Sequence, residues 1–317
     1  MTKYKLIILK MGGVNMNRPK GLKQGDTIGI IAPAGNLREY TIEEIKSTIE
    51  SYGYKVKIGR SCYLNYRGYL AGEDEIRVSD LENMFLDDRI DAIMCLRGGY
   101  GCIRILDMID YDIIKKYPKI FIGFSDITAL HIAFNQKCNL ITYHGIMANK
   151  ARQWDEFSYN SLLEALNFKG EYWITNPNNI PTYTLYEGNA TGQIVGGNLS
   201  IIASTLGTEY EIDTKNKILF IEEVGEYIYR IDRLLKHLDL ANKFKDCNGI
   251  IFGDFADCRK STSSDCDVVE LLREIANKYK KPTLYNLKSG HCVPMITIPL
   301  GVQCTIKSSQ SIIKFNI

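Results

Sequence analysis

Apolar residues in the first half of the chain follow two alternating patterns. Short continuous runs, such as Ala92 to Leu96, are typical of buried strands, whereas apolar residues three or four positions apart, such as Ile42, Ile45 and Ile49, are typical of amphipathic helices. Strands that alternate with helices of this length predict βαβ units and a mostly parallel sheet. The predicted strands span residues 26–33, 55–58, 91–96, 120–124 and 139–145, and the predicted helices span 38–52, 73–86, 103–109 and 127–134.

The second half has a different pattern, which predicts a mixed α/β domain with more antiparallel character. The polar, turn-rich stretch around residues 175–181 separates the two halves and predicts a linker. The tail at 296–307 alternates between apolar and polar residues like a β-ribbon. We therefore expect an N-terminal extension at 1–17, a first domain at 18–170, a linker at 171–187 and a second domain at 188–317.

Ser125 lies where the predicted strand 120–124 changes into a helix pattern. A sharp turn at such a point can expose a serine hydroxyl and leave the following backbone N–H groups unpaired at a helix N-terminus. Those N–H groups could stabilise an oxyanion, so the turn could provide both a nucleophile and part of an oxyanion hole. The alternative is that Ser125 and Asp126 only cap the helix, which is the commoner use of these residues. Residue 127 is Ile, so the G-x-S-x-G motif is not complete.

Two further polar groups follow strands in the second half. A carboxylate, Glu222 or Glu223, ends a buried strand, and His291 comes after another strand. Serine needs a base to accept its proton, and an imidazole oriented by a carboxylate can provide that base near neutral pH. An alternative is a structural ion pair between Glu222 and Arg230 or Arg233.

The other histidines differ in their sequence context. His131 lies in a helix pattern and is interpreted as a structural residue, and His237 is interpreted as part of the solvated face of an amphipathic helix. His144 lies at a strand end where it could line a cleft.

The stretch from Arg97 to Gly101 is a glycine-rich turn after a buried strand. It could bind a phosphate at a helix N-terminus, contribute an N–H group to an oxyanion hole, or serve only as a tight turn. The stretch is not G-x-G-x-x-G, and no acidic residue ends the next strand as a dinucleotide site requires. No dinucleotide cofactor is therefore expected.

Composition narrows the choice of partners. The 317 residues carry a net charge of +2, which gives no electrostatic reason to expect binding to nucleic acid or a membrane surface. The nine cysteines are scattered without a C-x-x-C motif, which is typical of reduced cytosolic thiols, and no Cys/His cluster predicts a metal site. The N-terminal apolar segment is shorter than that of a signal peptide, so a cytoplasmic location is expected.

Several short motifs, in this order, resemble those of the LD-carboxypeptidase family of serine peptidases, which includes the microcin C immunity peptidases. They run from near residue 20 to the C-terminus. The matching motifs are Ile31-Ala-Pro-Ala-Gly35, Leu96-Arg-Gly-Gly-Tyr-Gly101, Ile122-Gly-Phe-Ser-Asp-Ile-Thr128, Tyr143-His-Gly145, Gly192-Gln-Ile-Val-Gly-Gly-Asn-Leu199, Phe220-Ile-Glu-Glu-Val-Gly-Glu226, Tyr229-Arg-Ile-Asp-Arg233 and Ser289-Gly-His291.

The resemblance implies a role for each matching residue. Ser125 would be the nucleophile, His291 the base and Glu222 the orienting acid, while the backbone N–H groups of Asp126 and Gly99 would form the oxyanion hole. By position alone, the candidates for substrate binding are Arg97, Tyr143 and His144. The implied fold is α/β, with a flavodoxin-like parallel-sheet domain followed by a smaller β-rich domain. A homodimer without metal or cofactor is also implied.

The resemblance further implies release of the terminal D-Ala from murein tetrapeptide during cell-wall recycling. The Arg-Gly-Gly-Tyr turn and the Glu-Val-Gly-Glu stretch resemble the murein enzymes more than the microcin immunity branch. Two alternatives remain: a microcin-C-type immunity peptidase acting on peptidyl- or aminoacyl-nucleotides, and a catalytically silent muropeptide-binding protein. No motif reports whether the third residue of the peptide is diaminopimelate or lysine.

Overall fold

The computed structural model describes residues 7–11 and 14–317, which form strands and helices in mixed order. The strands are β1 (Ile7–Met11), β2 (Val14–Arg18), β3 (Thr27–Ile31), β4 (Lys55–Ile58), β5 (Ala92–Cys95), β6 (Ile120–Gly123), β7 (Thr142–His144), β8 (Glu171–Ile174), β9 (Tyr183–Tyr186), β10 (Asn189–Asn198), β11 (Ile218–Val224), β12 (Gly249–Ala256), β13 (Thr283–Tyr285), β14 (Ile298–Leu300), β15 (Gln303–Lys307) and β16 (Ile312–Asn316). The helices are α1 (Ile42–Ser51), α2 (Asp74–Leu86), α3 (Tyr111–Lys116), α4 (Thr128–Cys138), α5 (Glu156–Asn167), α6 (Leu199–Ser204), α7 (Ile228–Leu240), α8 (Lys243–Asp246) and α9 (Val268–Tyr279).

The first sheet has the strand order β14-β7-β6-β5-β3-β4 in the described part of the chain. Adjacent strands run parallel in every pair of this sheet except β14 and β7, which are antiparallel. Alternate residues of β5 face opposite sides: Ala92 and Met94 pack with α1 and α5, whereas Ile93 and Cys95 pack with α2, α3 and α4. Helices therefore cover both faces of a parallel sheet, which explains the continuous apolar runs of its strands.

The second sheet has the order β8-β16-β15-β10-β11-β12-β13-β9 across the described residues. Its centre, β10 to β13, is parallel, and antiparallel strands extend it at both edges. The predicted α/β fold, with a parallel first sheet and a second mixed sheet, is confirmed.

Several predicted elements differ from the structure. The expected linker 171–187 contains β8 and β9, which form the two edges of the second sheet. The expected helix at 103–109 is only a 3₁₀ turn at Cys102–Ile105, and Asp110 then caps the separate helix α3. The predicted ribbon at 296–307 is wrong, because a turn at Gly301 (φ +90°) sends β14 to the first sheet and β15 to the second.

The predicted N-terminal extension contains the β1–β2 hairpin, and its residues 1–6 and 12–13 lie outside the described residues. Asn17 connects this hairpin to the first sheet. Its N–H donates to Asn139 O at 2.6 Å, and Ile141 N–H donates to Asn17 O at 3.0 Å. The last residues of the extension are therefore part of the packed fold.

Candidate active site

The carboxyl ends of strands in both sheets supply the candidate site. Ser125 follows β6 and the Arg97–Gly101 turn follows β5, whereas Glu222 lies in β11 and His291 follows β13. The rings of Phe124 and His291 are in edge-to-face contact with centroids 4.9 Å apart. The residue before Ser125 therefore touches the histidine of the second sheet, which brings the two predicted groups to one place.

Ser125 has a left-handed backbone conformation, with φ of +66°, at the start of the 3₁₀ turn Ser125–Ile127. Such a conformation costs a residue other than glycine about 1–3 kcal/mol. In this described segment neither Ser125 nor Asp126 makes a side-chain cap to the 3₁₀ turn or to α4. The capping interpretation of these two side chains is therefore wrong, and the turn is the sharp strand-to-helix connection that a nucleophile requires.

Gly98 lies directly against this turn. A Cβ atom added to Gly98 would lie 2.8 Å from Ser125 Oγ and 3.4 Å from the backbone nitrogen of Asp126. The missing side chain thus leaves space in front of both the hydroxyl and the N–H group. The glycine pair was visible in the sequence, but only the folded turn shows which glycine faces Ser125.

Two backbone N–H groups face no hydrogen-bond acceptor in the described part of the chain, one in the Ser125 turn and one in the neighbouring Arg97–Gly101 turn. Within the described residues, the N–H groups of Asp126 and Gly99 donate no hydrogen bond. The carbonyl of Gly98 accepts from Gly35 N–H at 3.2 Å, and the N–H of the same trans peptide, which belongs to Gly99, points the opposite way. Free N–H groups are what an oxyanion hole needs.

The side chain of Asp126 has a role that sequence reasoning missed. Its Oδ2 accepts a hydrogen bond from Cys102 N–H at 2.8 Å, and the carboxylate is almost fully buried. Burial raises the pKa of this carboxyl, and the hydrogen bond from Cys102 opposes the increase. This bond connects the Ser125 turn to the end of the Arg97–Gly101 turn.

Glu222 and His291 form a hydrogen-bonded pair. His291 Nδ1 lies 2.8 Å from Glu222 Oε2, and the carboxylate is fully buried while the imidazole is partly exposed. Burial raises the pKa of Glu222, and the contact with His291 opposes this shift. The partner of Glu222 is thus His291, and the alternative of an ion pair with Arg230 or Arg233 is wrong. In the described residues Glu222 forms a salt bridge with neither arginine, and Arg230 pairs with Glu226. With Nδ1 occupied, the Nε2 atom is left to exchange a proton.

Glu223 has a different environment from its neighbour. Its Oε2 accepts from the backbone N–H of Ser200 at 2.9 Å and from Ser200 Oγ at 2.6 Å, and its Oε1 accepts from Asn198 Nδ2 at 3.0 Å. These contacts connect β11 to the start of α6. Glu223 is therefore a structural carboxylate.

Two of the expected substrate-binding residues lie in the interior. Tyr143 and His144 are fully buried, so neither side chain lines a cleft, and this part of the prediction is corrected. Their strand β7 is covered at its edge by β14, where His144 pairs with Ile298. Burial lowers the pKa of His144 well below its usual value, and the neighbouring His131 and His291 add to the decrease.

The remaining two histidines lie where their sequence context predicts, His131 in the interior and His237 on a solvated helix face. His131 is buried and its Nε2 lies 2.8 Å from Gly123 O, whereas His237 is exposed on α7. Burial lowers the pKa of His131 to about 4. Its Nε2–H therefore donates to Gly123 O, two residues before Ser125.

Arg97, the third expected substrate-binding residue, lies in the glycine-rich turn and is partly buried, so part of its side chain can reach a ligand.

In residues 7–11 and 14–317, no three His, Cys, Asp or Glu side chains are grouped closely enough to bind a metal ion. No helix in the described part is long and apolar enough to cross a membrane.

Comparisons with known proteins agree with this scaffold. The sequence model of the family's LD-carboxypeptidase N-terminal domain matches residues 28–145, and the family model of its C-terminal domain matches residues 191–306. The chain therefore belongs to the LD-carboxypeptidase family, whose members are peptidases.

Three individual proteins show how close the similarity is. A probable murein peptide carboxypeptidase of Bacillus subtilis (strain 168) is 38% identical over 304 residues, which cover 92% of each chain. The microcin C7 self immunity protein MccF, solved in complex with glutamyl sulfamoyl guanosine, has a TM-score of 0.85 and 25% identity over 95% of this chain and 98% of its own. Muramoyltetrapeptide carboxypeptidase from Oxalobacter formigenes has a TM-score of 0.77 and 26% identity over 92% of this chain and 98% of its own.

Proposed function

We propose that this protein is a cytoplasmic serine carboxypeptidase that releases the terminal D-Ala from murein tetrapeptide by cleaving an L,D-peptide bond. The observation that carries the chemistry is the 2.8 Å contact between His291 and the buried Glu222, next to the strained turn of Ser125. The similarity to a probable murein peptide carboxypeptidase supports the choice of substrate.

In this mechanism Ser125 Oγ attacks the scissile carbonyl carbon while His291 Nε2 accepts the hydroxyl proton. Glu222 holds the imidazole in the tautomer with Nδ1–H and stabilises the imidazolium. The free N–H groups of Asp126 and Gly99 bind the oxyanion of the tetrahedral intermediate. The C–N bond then breaks, and the proton passes from His291 to the leaving D-Ala amine. Water then attacks the acyl carbon while His291 accepts its proton, and His291 returns a proton to Ser125 Oγ as the bond between Oγ and the acyl carbon breaks.

The test is D-Ala release measured by mass spectrometry from L-Ala-γ-D-Glu-X-D-Ala, where X is diaminopimelate or L-Lys. The wild type is expected to release D-Ala, and Ser125→Ala is expected to lose activity by about three or more orders of magnitude while keeping its fold. Comparison of the two peptides identifies the third residue. Full activity of the Ser125→Ala protein would disprove the role of the nucleophile.

A second candidate function follows from the structural similarity to MccF. In that case Ser125 Oγ attacks the carbonyl carbon of the acyl group, and the leaving group is a nucleotide analogue, as in an aminoacyl sulfamoyl adenosine. Hydrolysis of such a compound, with no release of D-Ala from either tetrapeptide, would favour this function. Absence of both activities, with no acyl-enzyme detected by intact mass, would favour a silent muropeptide-binding protein.

The proposal also includes a homodimer, as the family resemblance implies. Light scattering of the purified protein at several concentrations measures the oligomeric state independently of activity.

A further inference from the structure

Arg97 is a partly buried arginine with little to balance its charge. Its Nη1 donates to Asn36 O at 2.9 Å, and no carboxylate within the described residues forms a salt bridge with it. Arg18, another buried arginine without a carboxylate, donates to the carbonyls of Phe168 and Leu166 and stacks on the Phe168 ring at 4.5 Å. Arg97 has no comparable set of partners, so most of its guanidinium donors stay available.

The segment that Arg97 contacts also carries a second cation, because Arg38 is two residues after Asn36, whose carbonyl accepts the hydrogen bond from Arg97. Burial lowers the pKa of the Arg97 guanidinium, and the charge of the neighbouring Arg38 lowers it further, whereas Glu39 has a weaker opposing effect. Arg38 is exposed and makes only a long hydrogen bond of 3.4 Å to Gly68 O. Two neighbouring guanidinium groups that favour an anion are typical of a site that binds a carboxylate or phosphate.

The location of Arg97 relates this charge to the Ser125 turn. A Cβ atom added to Gly35 would lie 3.5 Å from Arg97 Nε, and one added to Gly99 would lie 3.7 Å from Arg97 Nη2. The guanidinium therefore packs against both Gly35 and Gly99, at the point where their two loops touch. The next residue to Gly99 in the chain is Gly98, the glycine that faces Ser125.

A peptide bound for cleavage brings a negative charge to this region. In a carboxypeptidase substrate the scissile carbonyl carbon is followed by only the nitrogen, the Cα and the terminal carboxylate. Standard bond lengths put that carboxylate carbon within roughly 4 Å of the scissile carbonyl carbon. An anion is thus presented close to the Ser125 hydroxyl, at the edge of the turn that carries Arg97.

We propose that Arg97, assisted by Arg38, binds the terminal carboxylate of the residue that is released, and so restricts cleavage to the last peptide bond. This inference rests on the proposed carboxypeptidase function and adds the group that recognises the chain end. A bidentate guanidinium–carboxylate contact supplies both charge and orientation. A C-terminal amide, which has no charge, lacks this contact.

The test compares binding of L-Ala-γ-D-Glu-L-Lys-D-Ala and its C-terminal amide by isothermal titration calorimetry, with Ser125→Ala protein so that neither ligand is cleaved. The protein with Arg97 intact is expected to bind the acid about 10- to 100-fold more tightly than the amide. Adding Arg97→Gln should reduce this ratio to within about twofold, because the variant weakens binding of the acid and leaves binding of the amide unchanged.

The matched control is Arg89→Gln. Arg89 is an exposed arginine that precedes β5, whereas Arg97 follows the same strand. This control should keep the full preference for the acid. An unchanged ratio in Arg97→Gln, or an equal loss for both ligands as a purely structural role would give, overturns the proposal.

The carboxylate could instead belong to the side chain of diaminopimelate. Replacing L-Lys by diaminopimelate in both ligands distinguishes the two sources. The proposal is wrong if Arg97→Gln abolishes tighter binding of the diaminopimelate peptide relative to the L-Lys peptide, while the C-terminal acid still binds more tightly than the C-terminal amide.

Turnover of the wild-type protein separates this inference from the proposed function. If the wild type releases no D-Ala, but Ser125→Ala protein binds the acid with a preference that Arg97→Gln removes, the carboxypeptidase function fails and the carboxylate site stands. If neither ligand binds, the carboxylate site is disproved as well.

Discussion

The two sheets bring different kinds of groups to the candidate active site. At the ends of β5 and β6 the first sheet brings backbone geometry: the strained Ser125, the free N–H of Asp126 and a glycine, Gly98, that leaves them accessible. Within β11 and after β13 the second sheet brings titratable side chains, Glu222 and His291. Activity that depends on the first sheet should therefore be lost when an atom is added in front of the Ser125 turn, whereas activity that depends on the second sheet should be lost when a charge is removed.

Among the changes that test this comparison between the sheets, the largest effect is expected from removing a charge at Glu222, with Glu223 as its matched control. Glu222→Gln keeps the shape of the side chain but no longer stabilises an imidazolium on His291, so kcat should decrease by about 10²–10⁴-fold. Glu223→Gln should leave kcat within a few-fold and lower the free energy of unfolding by about 1–3 kcal/mol, because it weakens hydrogen bonds to α6. Steady-state kinetics and urea unfolding measure the two effects, and the reverse result would exchange the roles of the carboxylates.

A smaller effect is expected from adding one methyl group at Gly98. The backbone of Gly98 does not have a positive φ, so alanine is allowed there, but its Cβ would lie 2.8 Å from Ser125 Oγ. Gly98→Ala should lower kcat/KM by about 10²–10³-fold, comparable with loss of an oxyanion donor. Gly29→Ala is the control, because its Cβ would meet Met84 Sδ at 2.7 Å in the core of the same sheet. A fully active Gly98→Ala protein would show that this space is not used.

The smallest effect concerns stability at acid pH and His131. The folded state holds the pKa of His131 at about 4, below the value of 6.5 in the unfolded chain. Between these values the unfolded state binds more protons, so acid favours unfolding and the stability from neutral His131 is lost as pH falls. The expected loss from pH 7 to 4 is about 3 kcal/mol.

His131→Gln can still donate to Gly123 O but does not titrate, so its unfolding free energy should fall less over this pH range. Buried His144 contributes a loss of the same sign to both proteins, because its pKa is also lowered. Urea unfolding at pH 4, 5, 6 and 7 measures the difference, with exposed His237→Gln as control. Parallel curves for wild type and His131→Gln would contradict the prediction.

Local patterns predicted most of the fold. The apolar runs and helix spacings identified nearly every central strand and the long helices. Strands and helices each bury apolar side chains at a characteristic spacing along the sequence, so both can be recognised locally. The rule that polar residues gather at strand ends also selected Ser125, a carboxylate at Glu222 or Glu223, and His291, and the fold brings such a set together. It could not tell that Tyr143 and His144 point into the interior, because this depends on β14, more than 150 residues later in the chain.

The unpredicted features all rest on long-range pairing. The edge strands β8 and β9 have exposed residues and turn-rich surroundings, so their sequence alone is typical of a linker. The bond between Asp126 and Cys102 joins residues 24 positions apart and replaces the expected cap. Strand position alone left Glu222 and Glu223 as alternatives. The family resemblance implied Glu222, and the folded chain shows that the side chain of Glu222 contacts His291.

The pairing of β14 with β7 has a consequence for synthesis of the protein. The ribosome completes the first sheet's other five strands by residue 144, but the strand that covers their edge is Ile298–Leu300. A nascent chain therefore carries an open β-edge while about half of the protein is translated, and such edges are prone to pairing with other chains. Chaperone protection during translation matters most over this interval, and fragments that end near residue 170 keep the edge permanently.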